Sequence, residues 1–467
     1  MFDLEIRNAV LVSDIGVTQA SIYIDGEQIA AVCPPGKGFE AREVYDAAGR
    51  YVLPGLVDAH VHFRDPGSTH KEGFENGSLA AACGGVTTVI IMPTDDPMTD
   101  DPVTFRDKIE LGRRSYVDFG LNVIVGPNAG DLAPLAQCGP CAFELFLADV
   151  PDRYRIDDGA QLLEAMRAIA AVGGVAGVTP TLESIARFRT DRIVAEGRKG
   201  PLDFADSRPP EAEVLGIALA CEAAIVTGCR VHIRQVSSRE GAETVAAYKK
   251  RAPGLISAET LPHNMFLTED HLRKHGAFAK MSPPLRPPEQ AAALVAAMKA
   301  GTMDIVVTDH APHLPKEKEL GNDDIWTAPS GIPGLETLLP IMLARSLDGE
   351  FPLTQLVAAV STKPAQLFGL YPRKGVVAPG SDADLIVVDG SRRHRIDPAL
   401  MRTRASSTPF SDMEGGGSVD LVLLRGRRIV DDGKPVGTPG GSFLQPVPGD
   451  TLNPGLAGSK TAIRRTT

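Results

Sequence analysis

Two histidines separated by one residue, His60 and His62, are the first side chains in the sequence whose spacing suggests chemistry. They lie in residues 55–67, a short apolar strand that ends in ionisable groups. Because side chains on a β-strand alternate between its two faces, both imidazoles point to the same side. Two imidazoles at this spacing can chelate a borderline metal such as zinc. Arg64 follows directly, so the strand ends in a cationic loop of the kind in which barrel enzymes keep their active sites.

The length of the chain, 467 residues, suits a barrel of about 250 residues or more together with a smaller domain. Hydrophobic residues make up 43% and charged residues 23%, which is typical of a globular protein. The formal net charge of −11 at pH 7 argues against a nucleic-acid partner, because no basic excess is present to meet phosphates.

Six cysteines in a chain of this length are too sparse for a disulfide framework. Cys138 and Cys141 form a C-x-x-C pair without a second pair, and we interpret them as ordinary thiols. The N-terminus lacks the basic and apolar regions of a signal peptide, and no apolar run approaches the roughly 20 residues that span a bilayer. These features predict a soluble cytoplasmic protein with no membrane partner.

The middle of the chain repeats strand and then helix. Ala-rich segments with helical spacing, such as 157–172, 211–227 and 289–300, separate most of the strand candidates. Eight strands alternating with helices predict a (β/α)8 barrel. An open doubly wound sheet is the alternative, but no Gly-x-Gly-x-x-Gly follows the first strand. The strand candidates are residues 56–63, 86–93, 118–125, 142–148, 174–179, 230–236, 255–261 and 303–309.

Both ends of the chain are rich in short β-strands and tight turns. We therefore predict a small β-sandwich domain built from residues 1–53 together with 366–435. The barrel, distorted from ideal geometry, is expected to span 54–365. The tail, 436–467, is rich in Gly, Pro and Ser and is expected to be loosely held.

The eighth strand candidate ends at Asp309, which is followed by His310 and His313. An aspartate at this place can complete a metal site with the two earlier histidines, and it can also accept a proton from metal-bound water. An aspartate that only caps the following helix is the structural alternative. The pairing with His60 and His62 favours the metal site.

The sequence resembles the amidohydrolase superfamily and, within it, the dihydroorotase and allantoinase branch. The matching motifs run in family order and cover most of the chain. They are Gly-Leu-Val-Asp-Ala-His-Val-His-Phe-Arg-Asp-Pro-Gly (55–67), Ala-Ala-Cys-Gly-Gly-Val-Thr-Thr-Val (81–89), Met-Pro (92–93), Pro-Pro-Leu-Arg (283–286), Thr-Asp-His-Ala-Pro-His (308–313), Gly-Ile-Pro-Gly-Leu-Glu-Thr (331–337) and Pro-Gly-Ser-Asp-Ala-Asp-Leu-Ile-Val-Val-Asp (379–389).

The resemblance implies a role for each matching residue. His60, His62 and Asp309 correspond to metal ligands, and Asp309 also to the group that carries the proton to the leaving nitrogen. Arg64 and His313 correspond to the residues that grip the substrate carboxylate in dihydroorotase. Thr94 stands where the family usually has an Asn that contacts the substrate.

The sequence departs from the family where the second metal would be bound. The family bridges two metals with a carboxylated Lys or an Asp, and our alignment puts Glu144 there, as a possible ligand. In our alignment Thr181 takes the place of the strand-five His, and Gln235 takes the place of the strand-six His. His232 lies at odd spacing from Gln235, on the opposite face of a strand, and is a poor substitute. Because Thr and Gln are weak ligands for zinc, we expect one Zn²⁺ per chain.

The leading interpretation is a mononuclear, dihydroorotase-like enzyme of pyrimidine biosynthesis, acting on a cyclic amide that carries a carboxylate. An allantoinase, or a hydrolase of another cyclic ureide or imide, is the nearest alternative. A non-catalytic dihydroorotase-like subunit that supports aspartate transcarbamoylase is the alternative from another class. A homo-oligomer is expected for the enzyme.

Overall fold

The computed structural model describes residues 1–36 and 38–447 of the chain. Within these residues the chain forms eighteen β-strands, in the order β1 (Phe2–Val12), β2 (Val17–Asp25), β3 (Gln28–Cys33), β4 (Ala41–Asp46), β5 (Tyr51–Pro54), β6 (Leu56–Val61), β7 (Val86–Ile91), β8 (Asp118–Leu121), β9 (Val123–Ile124), β10 (Phe143–Phe146), β11 (Val175–Thr179), β12 (Arg230–Ile233), β13 (Ile256–Thr260), β14 (Ile305–Val306), β15 (Leu385–Arg395), β16 (Glu414–Leu424), β17 (Arg427–Asp431) and β18 (Lys434–Pro435).

Most of the α-helices of the described chain fall between the strands of its middle region. They are α1 (Gly73–Cys83), α2 (Pro102–Leu111), α3 (Ala133–Ala136), α4 (Gly159–Ala171), α5 (Glu183–Ala195), α6 (Pro201–Ser207), α7 (Pro210–Thr227), α8 (Arg239–Arg251), α9 (Pro262–Phe266), α10 (Glu269–His275), α11 (Pro288–Lys299), α12 (Pro315–Glu319), α13 (Leu338–Leu347), α14 (Leu353–Val357) and α15 (Lys363–Leu367). None of the described helices is long and apolar enough to cross a membrane.

The middle of the chain folds as the predicted parallel barrel. Strands β6, β7 and β8 form one run of parallel pairs, and β9 to β14 form the other. Strands β8 and β9 are two halves of the third barrel strand, separated at Asn122. The barrel closes where Val61 pairs in parallel with His310. Each of the eight segments predicted as strands contains one barrel strand, so the alternation of strand and helix predicted the architecture correctly.

A buried carboxylate at the closing point ties the first barrel strand to the eighth. Asp58, with no exposed surface, accepts hydrogen bonds from the backbone N–H of Thr308 at 3.1 Å and from its hydroxyl at 2.5 Å. Burial raises the pKa of Asp58 to about 6. These bonds fix the register between the strand that carries His60 and the chain that leads into Asp309.

The two ends of the chain join in one mixed sheet of nine strands, as predicted for a composite β domain. Strand β5 pairs in parallel with β1 and antiparallel with β15, so it links the N-terminal strands to the C-terminal ones. The sheet buries its own apolar cluster, to which both ends contribute. Ile22 and Leu385 are among its fully buried members.

The C-terminal segment up to Val447 is bound along the barrel. The backbone of Phe119 in β8 receives a hydrogen bond from Leu444 at 2.8 Å and donates one to Ser442 at 3.0 Å. The ring of Phe443 packs on Phe105 and Phe119, with centroids 5.7 and 5.9 Å apart. The expectation of a loosely held tail is therefore wrong for residues 436–447. That expectation rested on the Gly and Pro content of the segment and did not take its apolar side chains into account. Residues 448–467 lie outside the described residues.

Candidate metal centre

Three of the predicted metal ligands meet at the C-terminal end of the barrel. His60 and His62 leave β6 on the same side, and Asp309 follows β14. The Nε2 atoms of His60 and His62 lie 3.4 and 3.1 Å from the same oxygen, Oδ1 of Asp309. Among the described residues, these three form a group whose ligand atoms all lie within 4.8 Å of one another, as a metal site requires.

The second nitrogen of each imidazole is already bonded, which leaves Nε2 for a metal. His60 Nδ1 lies 2.5 Å from Oε1 of Glu259, in β13, and His62 Nδ1 lies 2.9 Å from the hydroxyl of Thr94. Such partners orient metal-binding histidines and fix their tautomers. Two imidazole nitrogens and a carboxylate oxygen are the donors of many catalytic zinc sites. The residues therefore fit a single zinc-like ion, and their role as ligands remains a prediction.

Electrostatics keeps the carboxylate of this group ionised. Burial opposes ionisation of Asp309, but the neighbouring His60 and His62 lower its pKa to about 2. Burial lowers the pKa of His62 to about 4, with Arg64 acting in the same direction. Near pH 7 His62 is thus neutral, which is the form that binds a metal.

Three residues of the site adopt left-handed backbone angles although none is a glycine. Arg64, Gln235 and Asp309 have φ values of +59°, +53° and +48° and stand just beyond the ends of β6, β12 and β14. Non-glycine residues are uncommon in this region, and such strain is often found at functional sites. The turn at Gln235 brings its amide Nε2 to within 2.5 Å of Oδ2 of Asp309.

Arg64 and His313 lie together, but only Arg64 lines the cavity above the metal group. This cavity, of about 400 Å³, is also bounded by Thr94 and the apolar side chains Phe146 and Ile332. His313 stands behind Arg64, with its Nε2 3.3 Å from Arg64 Nη2. His313 does not line the cavity, and its Nε2 lies 2.9 Å from the carbonyl oxygen of Ser330, so its contact with a substrate stays a prediction.

His313 is neutral and its proton position follows from its neighbours. The ammonium of Lys71 lies 3.2 Å from Nδ1, and Nε2 lies 2.9 Å from the carbonyl oxygen of Ser330. An ammonium only donates, so the imidazole proton is on Nε2 and is donated to Ser330. Burial, aided by Arg64 and Lys71, lowers the pKa of His313 to about 2. His313 therefore holds the Ser330 segment without adding charge, and its protonated Nε2 does not accept a hydrogen bond from Arg64.

Glu144 does not join the metal group. Its carboxylate is fully buried and accepts hydrogen bonds from Arg234 Nη2 at 2.5 Å, Arg234 Nε at 3.2 Å and Asn122 Nδ2 at 2.8 Å. The possible assignment of Glu144 as a ligand is corrected by this pairing: a glutamate is shorter than a carboxylated lysine, and a guanidinium meets it inside the barrel. The sequence offered no sign of this, because Arg234 is distant from Glu144 in the chain.

Thr179 rather than Thr181 faces the site at the end of the fifth barrel strand. Thr179 is the last residue of β11 and lines the cavity, whereas Thr181 is buried beyond it. The alignment of this segment is thus corrected by two residues, which keeps the same strand face. The argument that this position offers only a weak zinc ligand is unchanged, because a threonine occupies it in either alignment.

His263 is a cavity residue that sequence reasoning missed. It follows β13 at the start of α9, lines the cavity and is 3% exposed. Burial lowers its pKa to about 4. The available signal was its place in Thr260-Leu261-Pro262-His263, at the C-terminal end of a predicted barrel strand.

The comparisons with known proteins agree with the fold. The sequence profile of the amidohydrolase family matches residues 51–126 and 155–429. The chain belongs to this family. It is similar to an L-hydantoinase of Paenarthrobacter aurescens (33% identity, 93% of this chain, 96% of that protein), a dihydroorotase of Methanosarcina acetivorans (35%, 95% and 96%) and an allantoinase of Solibacter usitatus (35%, 96% and 97%).

Solved structures with a similar fold include the L-hydantoinase (dihydropyrimidinase) from Arthrobacter aurescens, with a TM-score of 0.91 and 33% identity over 95% of this chain and all of that one. A D-hydantoinase from Thermus sp. has a TM-score of 0.89 and 29% identity, over 95% and 99% of the two chains. The predictions of the fold, of the amidohydrolase family and of an enzyme of the cyclic amidohydrolase group are confirmed. The family is metal-dependent, which agrees with the histidine and aspartate group.

Proposed function

We propose that this amidohydrolase opens or closes a cyclic amide whose ring bears a carboxylate, as in the dihydroorotate and carbamoyl aspartate pair, and that it does so with one metal ion. The observation that carries the proposal is the Arg64 guanidinium beside the metal group. Arg64 lines the cavity, and among the described residues no carboxylate lies within 4.0 Å of it. The buried Nε atom of Arg64 has no hydrogen-bond partner among the residues that the structure describes. A cation so placed favours an anionic ligand.

Each group of the site has a part in such a reaction. A zinc-like ion, when bound, supplies the polarisation of the ring carbonyl and the activation of water. Asp309 is ionised at neutral pH, so it can accept a proton and return it to the ring nitrogen. Its Oδ1 faces the two imidazoles, which leaves Oδ2, held by Gln235, as the oxygen that takes the proton.

A ring without a carboxylate is the second candidate, and Thr94 favours it. The hydroxyl of Thr94 is bonded to His62, so it does not serve as the substrate-contacting amide of the dihydroorotase pattern. Allantoin and hydantoin, acted on by relatives according to their names, represent this class.

The test is metal analysis combined with a panel of substrates. The purified protein is treated with a chelator, reloaded with Zn²⁺ and washed, and we expect about one equivalent per chain. Hydrolysis is then compared for dihydroorotate and dihydrouracil, which share a ring and differ in the carboxylate, and for allantoin and hydantoin. Preference for dihydroorotate supports the proposal, and preference for an uncharged ring assigns the second candidate. Metal-free protein with no hydrolysis of any ring would favour a non-catalytic subunit.

Arg64→Lys is expected to raise the KM for the carboxylated ring by about 10–100-fold, because a lysine keeps the charge but loses the planar pair of donors. The values of kcat/KM are measured for dihydroorotate and dihydrouracil in parallel. The uncharged ring serves as the matched control, since its use should change little. An equal loss on both rings would show that Arg64 maintains the site and does not select a carboxylate.

A further inference from the structure

A network of buried polar groups lies inside the barrel and contacts the metal group through the bond between Glu259 and His60. Arg234 is at its centre, and the side chain is fully buried. We call this set the interior network; its members are Asn122, Glu144, His232, Arg234 and Glu259, each of them fully or almost fully buried.

The guanidinium of Arg234 is bonded on three sides. Nε and Nη2 donate to Glu144, and Nη1 donates to Glu259 Oε2 at 2.9 Å and to the carbonyl oxygen of Ala59 at 3.2 Å. The ring of Phe368 covers one face, 5.3 Å from the guanidinium carbon. A guanidinium stays protonated under all ordinary conditions, so this is a permanent positive charge.

The network brings two carboxylates around this one cation. Burial opposes ionisation of Glu259, yet Arg234 and His60 hold its pKa well below the usual range. Glu144 and Glu259 would be very costly to bury without a positive partner. Arg234 provides it for both, and the remaining oxygen of Glu259 orients His60. The positive charge of Arg234 is therefore connected to the metal group through one side chain, that of Glu259.

The barrel is shaped to hold Glu144 against Arg234. Gly177 lies opposite it in β11, and a Cβ atom at that position would overlap the Glu144 carboxylate. Three donors already use the two carboxylate oxygens of Glu144. Both oxygens of Glu144 are therefore held by protein donors and are not free to bridge a second ion. Gln235, whose amide nitrogen donates to Asp309, offers only a neutral carbonyl oxygen, which is a weak zinc ligand.

We propose that Arg234 is a positioning residue whose positive charge balances the buried carboxylates in place of a second metal ion. The barrel therefore binds one exchangeable metal. It neutralises the carboxylate that would otherwise bind a cation, and it holds Glu259 in place for His60. Without Arg234, two carboxylates and the imidazole of His232, which lies 2.9 Å from Glu259, would face the vacated space. Such a donor set is suited to zinc. This inference rests on the single metal of the proposed function.

The test compares the Zn²⁺ content of matched variants after chelation, reloading and washing. Arg234→Met removes the charge, and we expect its content to rise from about one towards about two equivalents. Arg234→Lys keeps the charge and should stay at about one. Arg234→Met combined with Glu144→Gln removes one charge of each sign and should also stay at about one. Circular dichroism checks that each variant is folded.

A folded Arg234→Met variant with the same zinc content as the parent would overturn the proposal. If that variant does not fold, the other two decide. One equivalent in both supports the proposal, and two equivalents in either overturns it. The parent alone tests the proposed function, because its own zinc content and hydrolysis do not involve any change at Arg234. A failure of the inference is thus distinguishable from a failure of the proposed function.

Discussion

Replacement of Asp309 by Asn is expected to lower kcat by about a thousand-fold, because it removes both a metal-binding oxygen and the group that transfers the proton. The side chain keeps its size, so the bond from Gln235 and the fold around the site should persist. Steady-state hydrolysis of the preferred ring measures the effect. Zinc content measured on the same sample shows how much of the loss comes from weaker metal binding.

Asp149→Asn is the matched control for this prediction. Asp149 also lines the cavity, but its carboxylate is bonded to Arg208 and Ser282 and has no contact with the metal group. The same change of charge there should affect kcat far less. If Asp309→Asn kept kcat within about tenfold of the parent, Asp309 would not be the proton carrier.

Lys374→Met is expected to lower the free energy of unfolding by about 3–5 kcal/mol, because it removes the buried cation that three carboxylates share and leaves Asp384 without a basic partner among the described residues. Lys374 is 1% exposed, and its Nζ lies 2.6 Å from Asp118, 2.6 Å from Asp384 and 2.9 Å from Asp382. Asp118 belongs to the barrel, and the other two precede the first strand of the C-terminal β region. The cluster therefore joins the barrel to the composite sheet, and a urea denaturation series measures its contribution.

Arg373→Met provides the comparison for Lys374→Met. Arg373 binds the same carboxylate, Asp382, at 2.9 Å, but its side chain is 52% exposed. An exposed ion pair contributes about 1 kcal/mol or less, so the denaturation midpoint should move little. Equal shifts for the two variants would mean that burial of the Lys374 cluster does not add to stability.

The sequence by itself determined the barrel and much of the metal group. Eight apolar segments of strand length alternated with helical ones, and that periodicity is a local property of the chain. The side of β6 that carries His60 and His62 followed from the two-residue repeat of a strand, which holds whatever the surroundings are. The position of Asp309 at the end of the last barrel strand then placed it near them, since parallel strands end at one edge.

The ends of the strands were predicted less well than the strands themselves, and this affected the predicted position of Gln235 in the site. The sixth barrel strand was expected to reach residue 236, whereas β12 ends at Ile233. Two-residue alternation correctly put His232 and Gln235 in different directions, with His232 bonded to Glu259 in the barrel. Gln235 reaches Asp309 through a left-handed turn, which no side-chain pattern in the sequence indicates.

Only the tertiary structure decided the partners of the buried charges and which side chains line the cavity. Glu144 and Arg234, 90 residues apart, meet across β11, which lies between β10 and β12 in the barrel. His313 does not line the cavity, and its Nε2 lies 2.9 Å from the carbonyl oxygen of Ser330. Likewise, the segment around Phe443 binds β8 through contacts that its Gly-rich composition concealed. The physical reason is that secondary structure depends on residues close in sequence, whereas the pairing of a buried charge depends on whichever group the fold brings within bonding distance.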